Sequence, residues 1–198
     1  MKNLFRKIKR PLVIIFVFFI RLLACSVYDK KYIKGKYFDR SHFTSGWKWV
    51  LQYWFIQKFI GINKNVPFPV SPSIRIGAPE NIIFDLDDMH NFQTVGNYFQ
   101  AVGARLYIGK GTYIAPNTGF ITSNHDLSDP NLRLPGKDIV LGEKCWIGMN
   151  SVILPGVTLG PHTVVGAGSI VTKSFQDGYC VIAGNPAKII KKVEVKQK

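Results

Sequence analysis

Leu141 to Gln176 reads LGEKCW IGMNSV ILPGVT LGPHTV VGAGSI VTKSFQ, six blocks of six headed by Leu141, Ile147, Ile153, Leu159, Val165 and Val171, with glycine second in four. The same frame runs upstream through VGARLY, IGKGTY, IAPNTG and FITSNH, headed by Val102, Ile108, Ile114 and Phe120, with a weaker start near Ile74 to Gly77. A helix stripe would need apolar residues at three- and four-residue steps, so this spacing excludes one. It predicts short strands joined by tight turns, each strand burying one aliphatic side chain while Gly, Asn or Pro manages the corners. Three such units close a triangular coil, and stacked coils pair in parallel around a column of Leu, Ile and Val. The expected fold is all-β, a parallel β-helix. Between Ile76 and Val102 the frame slips, so irregular edge coils are expected there.

Working outward, the 198 residues suit one domain plus an appendage. The formal charge of +14 would suit nucleic acid, but it lies at the two ends. Residues 1–40 carry +9 and residues 188–198 carry +4, which leaves +1 for everything between. A body without a basic stripe is a poor match for a phosphate backbone, so no nucleic-acid partner is expected. Cys25, Cys145 and Cys180 share no metal-ligand spacing and read as free thiols in a reducing compartment.

Before the repeat lie two greasy stretches. Pro11 to Cys25 reads PLVIIFVFFIRLLAC, broken by Arg21, and Trp47 to Gly61 reads WKWVLQYWFIQKFIG. The first has no small-x-small cleavage site after it and is too short to span a bilayer, which takes about 20 apolar residues as a helix. The second is crowded with Trp and Tyr, as interfacial belts are. With Lys and Arg on both flanks, the segment is expected to be helical and to lie at the cytoplasmic face of a membrane. Packing on the body or at a subunit interface is the alternative. The expected organisation is residues 1–65 as this basic, apolar segment, 66–187 as the β-helix with a loop insertion at 126–140, and 188–198 as a basic tail.

From Ile139 to Lys192 the chain resembles the hexapeptide-repeat acyltransferases, in particular the galactoside and maltose acetyltransferase branch, through IVLGEKCWIGMNSVILPGVTLGPHTVVGAGSIVTKSF and GNPAKIIKK. The resemblance covers about residues 74–192. It implies a left-handed coil, against the usual right-handed preference of parallel crossovers. It also implies a homotrimer with sites in the grooves between subunits, acetyl-CoA as co-substrate, no metal, and a saccharide hydroxyl as acceptor.

Acetyl transfer to a hydroxyl needs a group that accepts the proton as oxygen attacks the thioester, and histidine suits this near neutral pH. Of the four histidines, His42 lies in the appendage, His162 at a coil corner and His90 in a polar loop. His125 ends FITSNH where the repeat breaks off, eight residues after Asn117, which is where the resemblance places the catalytic base. Asp126 need not orient it, because neighbours in a strand point to opposite faces. A backbone carbonyl or a carboxylate from across a subunit interface could serve instead.

The resemblance implies further roles. Asn97 and Trp146 fall on the acceptor side, and Arg133 in the insertion could meet an anionic acceptor. Gly148 and Ala167 would let the pantetheine arm lie close to the backbone, although coil corners favour small residues anyway. Thr172, Lys173, Lys188 and Lys191 would meet the nucleotide end, with Lys in two places where the family often has Arg, which keeps charge and loses bidentate grip. The alternatives are a zinc enzyme of the same fold, which would need several converging histidines and has no H-x-x-x-x-H pair here, a non-catalytic scaffold, and N-acetylation of an amino nucleotide-sugar.

Overall fold

The computed structural model describes residues 2–194, the side chains of residues 2–10 excepted, and divides into two compact units between Pro72 and Ser73. The second unit carries β1 (Arg75–Ile76), β2 (Ile82–Phe84), β3 (Tyr98–Phe99), β4 (Leu106–Ile108), β5 (Tyr113–Ile114), β6 (Gly119–Phe120), β7 (Ile139–Leu141), β8 (Trp146–Ile147), β9 (Val152–Ile153), β10 (Thr158–Leu159), β11 (Val164–Val165), β12 (Ile170–Val171), β13 (Cys180–Gly184) and β14 (Ala187–Lys192). They form three sheets. The first face holds β1, β3, β6, β9 and β12, the second β2, β4, β7 and β10, and the third β5, β8, β11 and β13, with β14 folded back antiparallel on β13. All the other pairings are parallel, between strands one coil apart.

Register turns the six-residue heads into three columns. Phe99, Phe120, Ile153 and Val171 stack on the first face, Ile108, Leu141 and Leu159 on the second, and Ile114, Ile147, Val165 and Ile182 on the third. None is more than 4% exposed. Burying each such side chain contributes roughly 1.5–3 kcal/mol, so the columns dominate the unit's stability.

Each block buries a second residue two places before the head, which the aliphatic pattern did not reveal. These are Thr112, Thr118, Cys145, Ser151, Val157, Thr163 and Ser169, all at 1% exposure or less. Hydroxyls survive there because each finds a carbonyl: Ser151 Oγ donates to Gly148 O at 2.6 Å, Thr163 Oγ1 to Gly160 O at 2.7 Å and Ser169 Oγ to Gly166 O at 2.6 Å, each three residues back, while Thr112 Oγ1 donates to Gly142 O of the next coil at 2.8 Å. A satisfied buried hydroxyl escapes the desolvation cost that would otherwise exclude it.

The irregular edge is real, and its detail differs from the six-residue frame. Val102 heads no strand and is only half-buried. The first coil has a 3-10 helix, Leu86–Phe92, in place of a third-face strand. Buried Asn91 completes the edge with its side chain, donating to Thr112 O at 2.8 Å and accepting from Ile114 N at 2.9 Å. Further along, Gly160 is fixed by close approach, since a Cβ there would lie 2.1 Å from Gln176 O on the next coil.

The first unit contains α1 (Lys2–Val27) and α2 (Ser45–Phe55), the latter extended by a π-helical turn over Ile56–Ile60 and ended by Gly61 at φ +91°. Val17, Ile20 and Ala24 form a buried seam on α1, and Trp47 and Val50 one on α2. Buried Gln57 ties the unit together. It accepts from the Tyr28 hydroxyl at 3.1 Å and donates to Val66 O and Phe68 O at 3.0 Å each. Residues 66–72 therefore belong with the helices, and the boundary expected after residue 65 falls after Pro72. The tail expected from residue 188 likewise continues as β14 through Lys192, held by its pairing with β13. Residues 195–198 of that tail, and the side chains of the basic start up to Arg10, lie outside the described residues. Among the described residues, no helix is long and apolar enough to cross a membrane.

Candidate active site

The repeat breaks between β6 and β7, at the corner from the first face to the second. Two prolines and the absence of an aliphatic hexad free this segment from the coil, and it closes instead on itself as a hairpin. Asp126 N donates to Leu132 O and Leu134 N to Asn124 O, both at 2.9 Å, and Lys137 N to Thr122 O at 2.8 Å. His125 and Arg133 face each other across it in an antiparallel bridge. The two bonds flank that pair rather than joining it, and in such a pair the side chains stand closest and project to the same side. Imidazole and guanidinium therefore share one exposed surface of the hairpin.

The His125 ring is oriented from within the hairpin, its Nδ1 2.5 Å from the carbonyl oxygen of Pro130. A carbonyl only accepts, so this contact assigns the hydrogen to Nδ1 and leaves Nε2 of the neutral ring with a free lone pair. That is the tautomer a general base requires. The sequence left this orienting group open between a carbonyl and a carboxylate, and proline hides it, since a carbonyl's direction depends on the turn.

Asp126 is engaged elsewhere. Its carboxylate accepts from the Ser128 hydroxyl at 2.5 Å and from Ser128 N at 2.8 Å, which closes the hairpin's tip. Those bonds, the hydroxyl's first, hold its pKa below the usual carboxylate value.

A cavity of about 230 Å³ opens beside this edge, walled by Leu134, Pro135, Leu154 and Pro155, with Asn124, Lys137 and Thr172 supplying the polar groups. Thr172 and exposed Lys173 follow β12, so they lie on the same corner as His125, two coils along. The Lys173 ammonium sits 5.8 Å from the centre of the Phe175 ring.

The remaining candidates lie elsewhere on the prism. Trp146, 58% exposed, is on the third face, and register carries its row through Val164 and Val181 to exposed Lys191, with Lys188 beside Ala183. Gly148 and Ala167 mark the corner from the third face to the first. Gly148 is buried, and a Cβ there would lie 2.5 Å from Val165 O, so stacking of the coils demands this glycine. Ala167, one coil further on, is exposed.

Asn97 departs from the acceptor-side expectation. It is 1% exposed, with its amide nitrogen donating to Thr94 Oγ1 and its oxygen accepting from Thr118 N, both at 2.9 Å. It clamps an irregular corner and is turned away from the open surface, because the frame has slipped around it.

The other histidines are placed apart from this hairpin. His90 lies against Tyr113 with ring centres 4.7 Å apart, His162 stacks on Tyr179 at 4.9 Å, and His42 Nδ1 meets Asp39 Oδ2 at 3.2 Å in the first unit. Cys145 is buried with Sγ 3.3 Å from Gly160 O, and burial pushes its thiol pKa up, which suits packing and opposes a nucleophilic role. Among the described residues, no three His, Cys, Asp or Glu side chains gather as a metal centre would require.

Three parallel sheets closed by six-residue turns define a parallel β-helix, and the imidazole exposed on its hairpin makes that edge the candidate site. The bacterial transferase hexapeptide family (six repeats) matches residues 138–173. The chain is 34% identical over 150 residues to WcaF of Escherichia coli K12, provisionally named a colanic acid biosynthesis acetyltransferase, a match spanning 72% of this chain and 76% of that one. It is 38% identical over 145 residues to WbbJ of the same organism, provisionally named a lipopolysaccharide biosynthesis O-acetyl transferase, covering 66% and 71%. Among solved structures, a galactoside acetyltransferase in complex with coenzyme A superposes with a TM-score of 0.54 at 29% identity, covering 63% of this chain and 61% of that one. Against several other acetyltransferases the chain spans about half of the relative's length. This chain belongs to the hexapeptide-repeat transferase family.

Proposed function

We propose that this chain transfers the acetyl group of acetyl-CoA to a hydroxyl of a saccharide, with His125 as general base. The observation that carries the reading is the bond from Nδ1 to Pro130 O, which leaves Nε2 as the open acceptor. The acceptor hydroxyl gives its proton to Nε2 as its oxygen attacks the thioester carbon. The tetrahedral oxyanion is steadied by a backbone N–H, and as it collapses the C–S bond breaks. The imidazolium then returns the proton to the departing thiolate, so the enzyme ends unchanged.

Coenzyme A is read onto Ala167, Thr172, Lys173, Lys188 and Lys191. These residues occupy two separated parts of one chain, the first-to-second corner with His125 and the third face with its adjoining corner. In a three-sided coil that corner lies opposite the third face, so one chain does not bring the two together. A left-handed coil assembled as a homotrimer would do so, laying the hairpin of one copy against the third face and Trp146 of the next. The relatives named for colanic acid and lipopolysaccharide synthesis support a cell-surface polysaccharide or its lipid-linked precursor as acceptor, with Arg133 beside the base to meet an anionic group. The first unit would hold the enzyme at the cytoplasmic face of the membrane, where such precursors are built.

The test is release of coenzyme A from acetyl-CoA with saccharide and glycolipid acceptors, wild type against His125→Ala, with sedimentation reporting assembly. Loss of turnover in an intact trimer is the expected result. Full turnover in the variant would remove His125 from the chemistry.

A further inference from the structure

α1 is apolar on two opposite sides. Val13, Val17, Ile20 and Ala24 recur at three- and four-residue steps on its packed side. Opposite them, Leu12, Ile15, Phe19 and Leu22 are 61%, 53%, 62% and 53% exposed. α2 and its π-helical turn repeat this, with Trp47 and Val50 buried while Phe55, Phe59 and Ile60 are 51%, 70% and 62% exposed. Phe55 and Phe59 stack at 5.3 Å with Trp54 edge-on to both. A soluble unit rarely leaves so much large apolar side chain bare.

Charge selects the occupant. Residues 1–72 hold fourteen of the 26 Lys and Arg and only two of the 12 acids, which gives them +12 of the chain's +14. A second copy would present the same charge and be repelled, whereas an anionic lipid surface would be attracted. The apolar run of Pro11 to Cys25 is also too short to span, which suits a helix lying in the headgroup region.

We infer that the outer faces of α1 and of the α2 π-turn form an anionic-phospholipid docking surface, in which Phe19 and Phe59 enter the acyl boundary while lysines and arginines meet the headgroups. This deepens the membrane part of the proposed function and does not depend on His125.

The full chain is floated with vesicles of phosphatidylcholine alone or mixed with phosphatidylglycerol, at low and high salt. The expected result is recovery with the mixed vesicles, weakened by salt. The double variant Phe19→Asp/Phe59→Asp should lower partitioning by at least about tenfold, and Phe19→Trp/Phe59→Trp should keep it. Thermal unfolding checks that the first unit stays folded, as both positions are exposed. Three results would overturn the inference: no partitioning, equal partitioning to neutral and anionic vesicles at all salt concentrations, or an Asp variant that floats like wild type. Oligomers lost in the Asp variant without vesicle binding would assign the face to a second copy and overturn it too. Binding has no activity readout, so failure here leaves the acetyl-transfer reading standing, and failed turnover leaves this one standing.

Discussion

Phe120 and Phe19 are the same residue put to opposite uses. In the coil, Phe120 is completely buried and stacked on Phe99 with ring centres 5.2 Å apart and planes within 7°. In α1, Phe19 is 62% exposed. What separates them is period. The coil needs one large apolar side chain per six residues and receives it, whereas α1 needs one narrow seam and carries apolar residues all round. The surplus faces outward, so abundance of apolar residues alone does not tell core from surface.

The largest expected effect breaks that comparison directly. Phe120→Ala removes a ring from a stacked column and should cost about 3–5 kcal/mol, seen as a fall in the denaturation midpoint of the second unit. Phe19→Ala should change stability by less than about 0.5 kcal/mol, because the ring is already in contact with solvent. Equal losses would mean that the outer face of α1 is packed in the working protein.

His125→Ala sharpens the contrast between scaffold and site. It should lower kcat on the order of 10²–10⁴-fold, the usual worth of a positioned general base, with thermal stability unchanged. Exposure of the ring is the reason the fold should not notice its loss.

The coil was readable because aliphatic spacing reports burial directly, and nine of the ten heads from Val102 to Val171 lie at 4% exposure or less, Val102 alone excepted. The second buried column was not, because Thr118, Ser151 and Thr163 look polar until their hydroxyls are seen to turn back on the chain. The position of His125 at the break in the repeat was legible, but its contact with the Pro130 carbonyl and its place opposite Arg133 depend on the fold of a hairpin that has no repeat to read. Asn97 misled for the opposite reason. The resemblance puts it on the acceptor side, and the slipped frame buries it.

Asn91 marks where side chains replace a missing strand. Asn91→Leu should destabilise the second unit by roughly 1–3 kcal/mol, since Thr112 O and Ile114 N lose buried partners, and hydrogen exchange at Ile114 should quicken.

Asp126 gives the smallest effect and separates a clamp from a catalytic dyad. Its folded pKa is depressed, so the stability it lends the hairpin is complete above its unfolded carboxylate pKa and is lost as pH falls through the lower folded value. Exchange of the Ser128 amide should quicken across that acid window in wild type and be fast and less pH-dependent in Asp126→Ala. The variant should lower kcat only slightly, through a looser Pro130 carbonyl. A collapse matching that of His125→Ala would instead mean that the carboxylate turns to the imidazole during the reaction, and that the bond to Ser128 belongs to the resting enzyme alone.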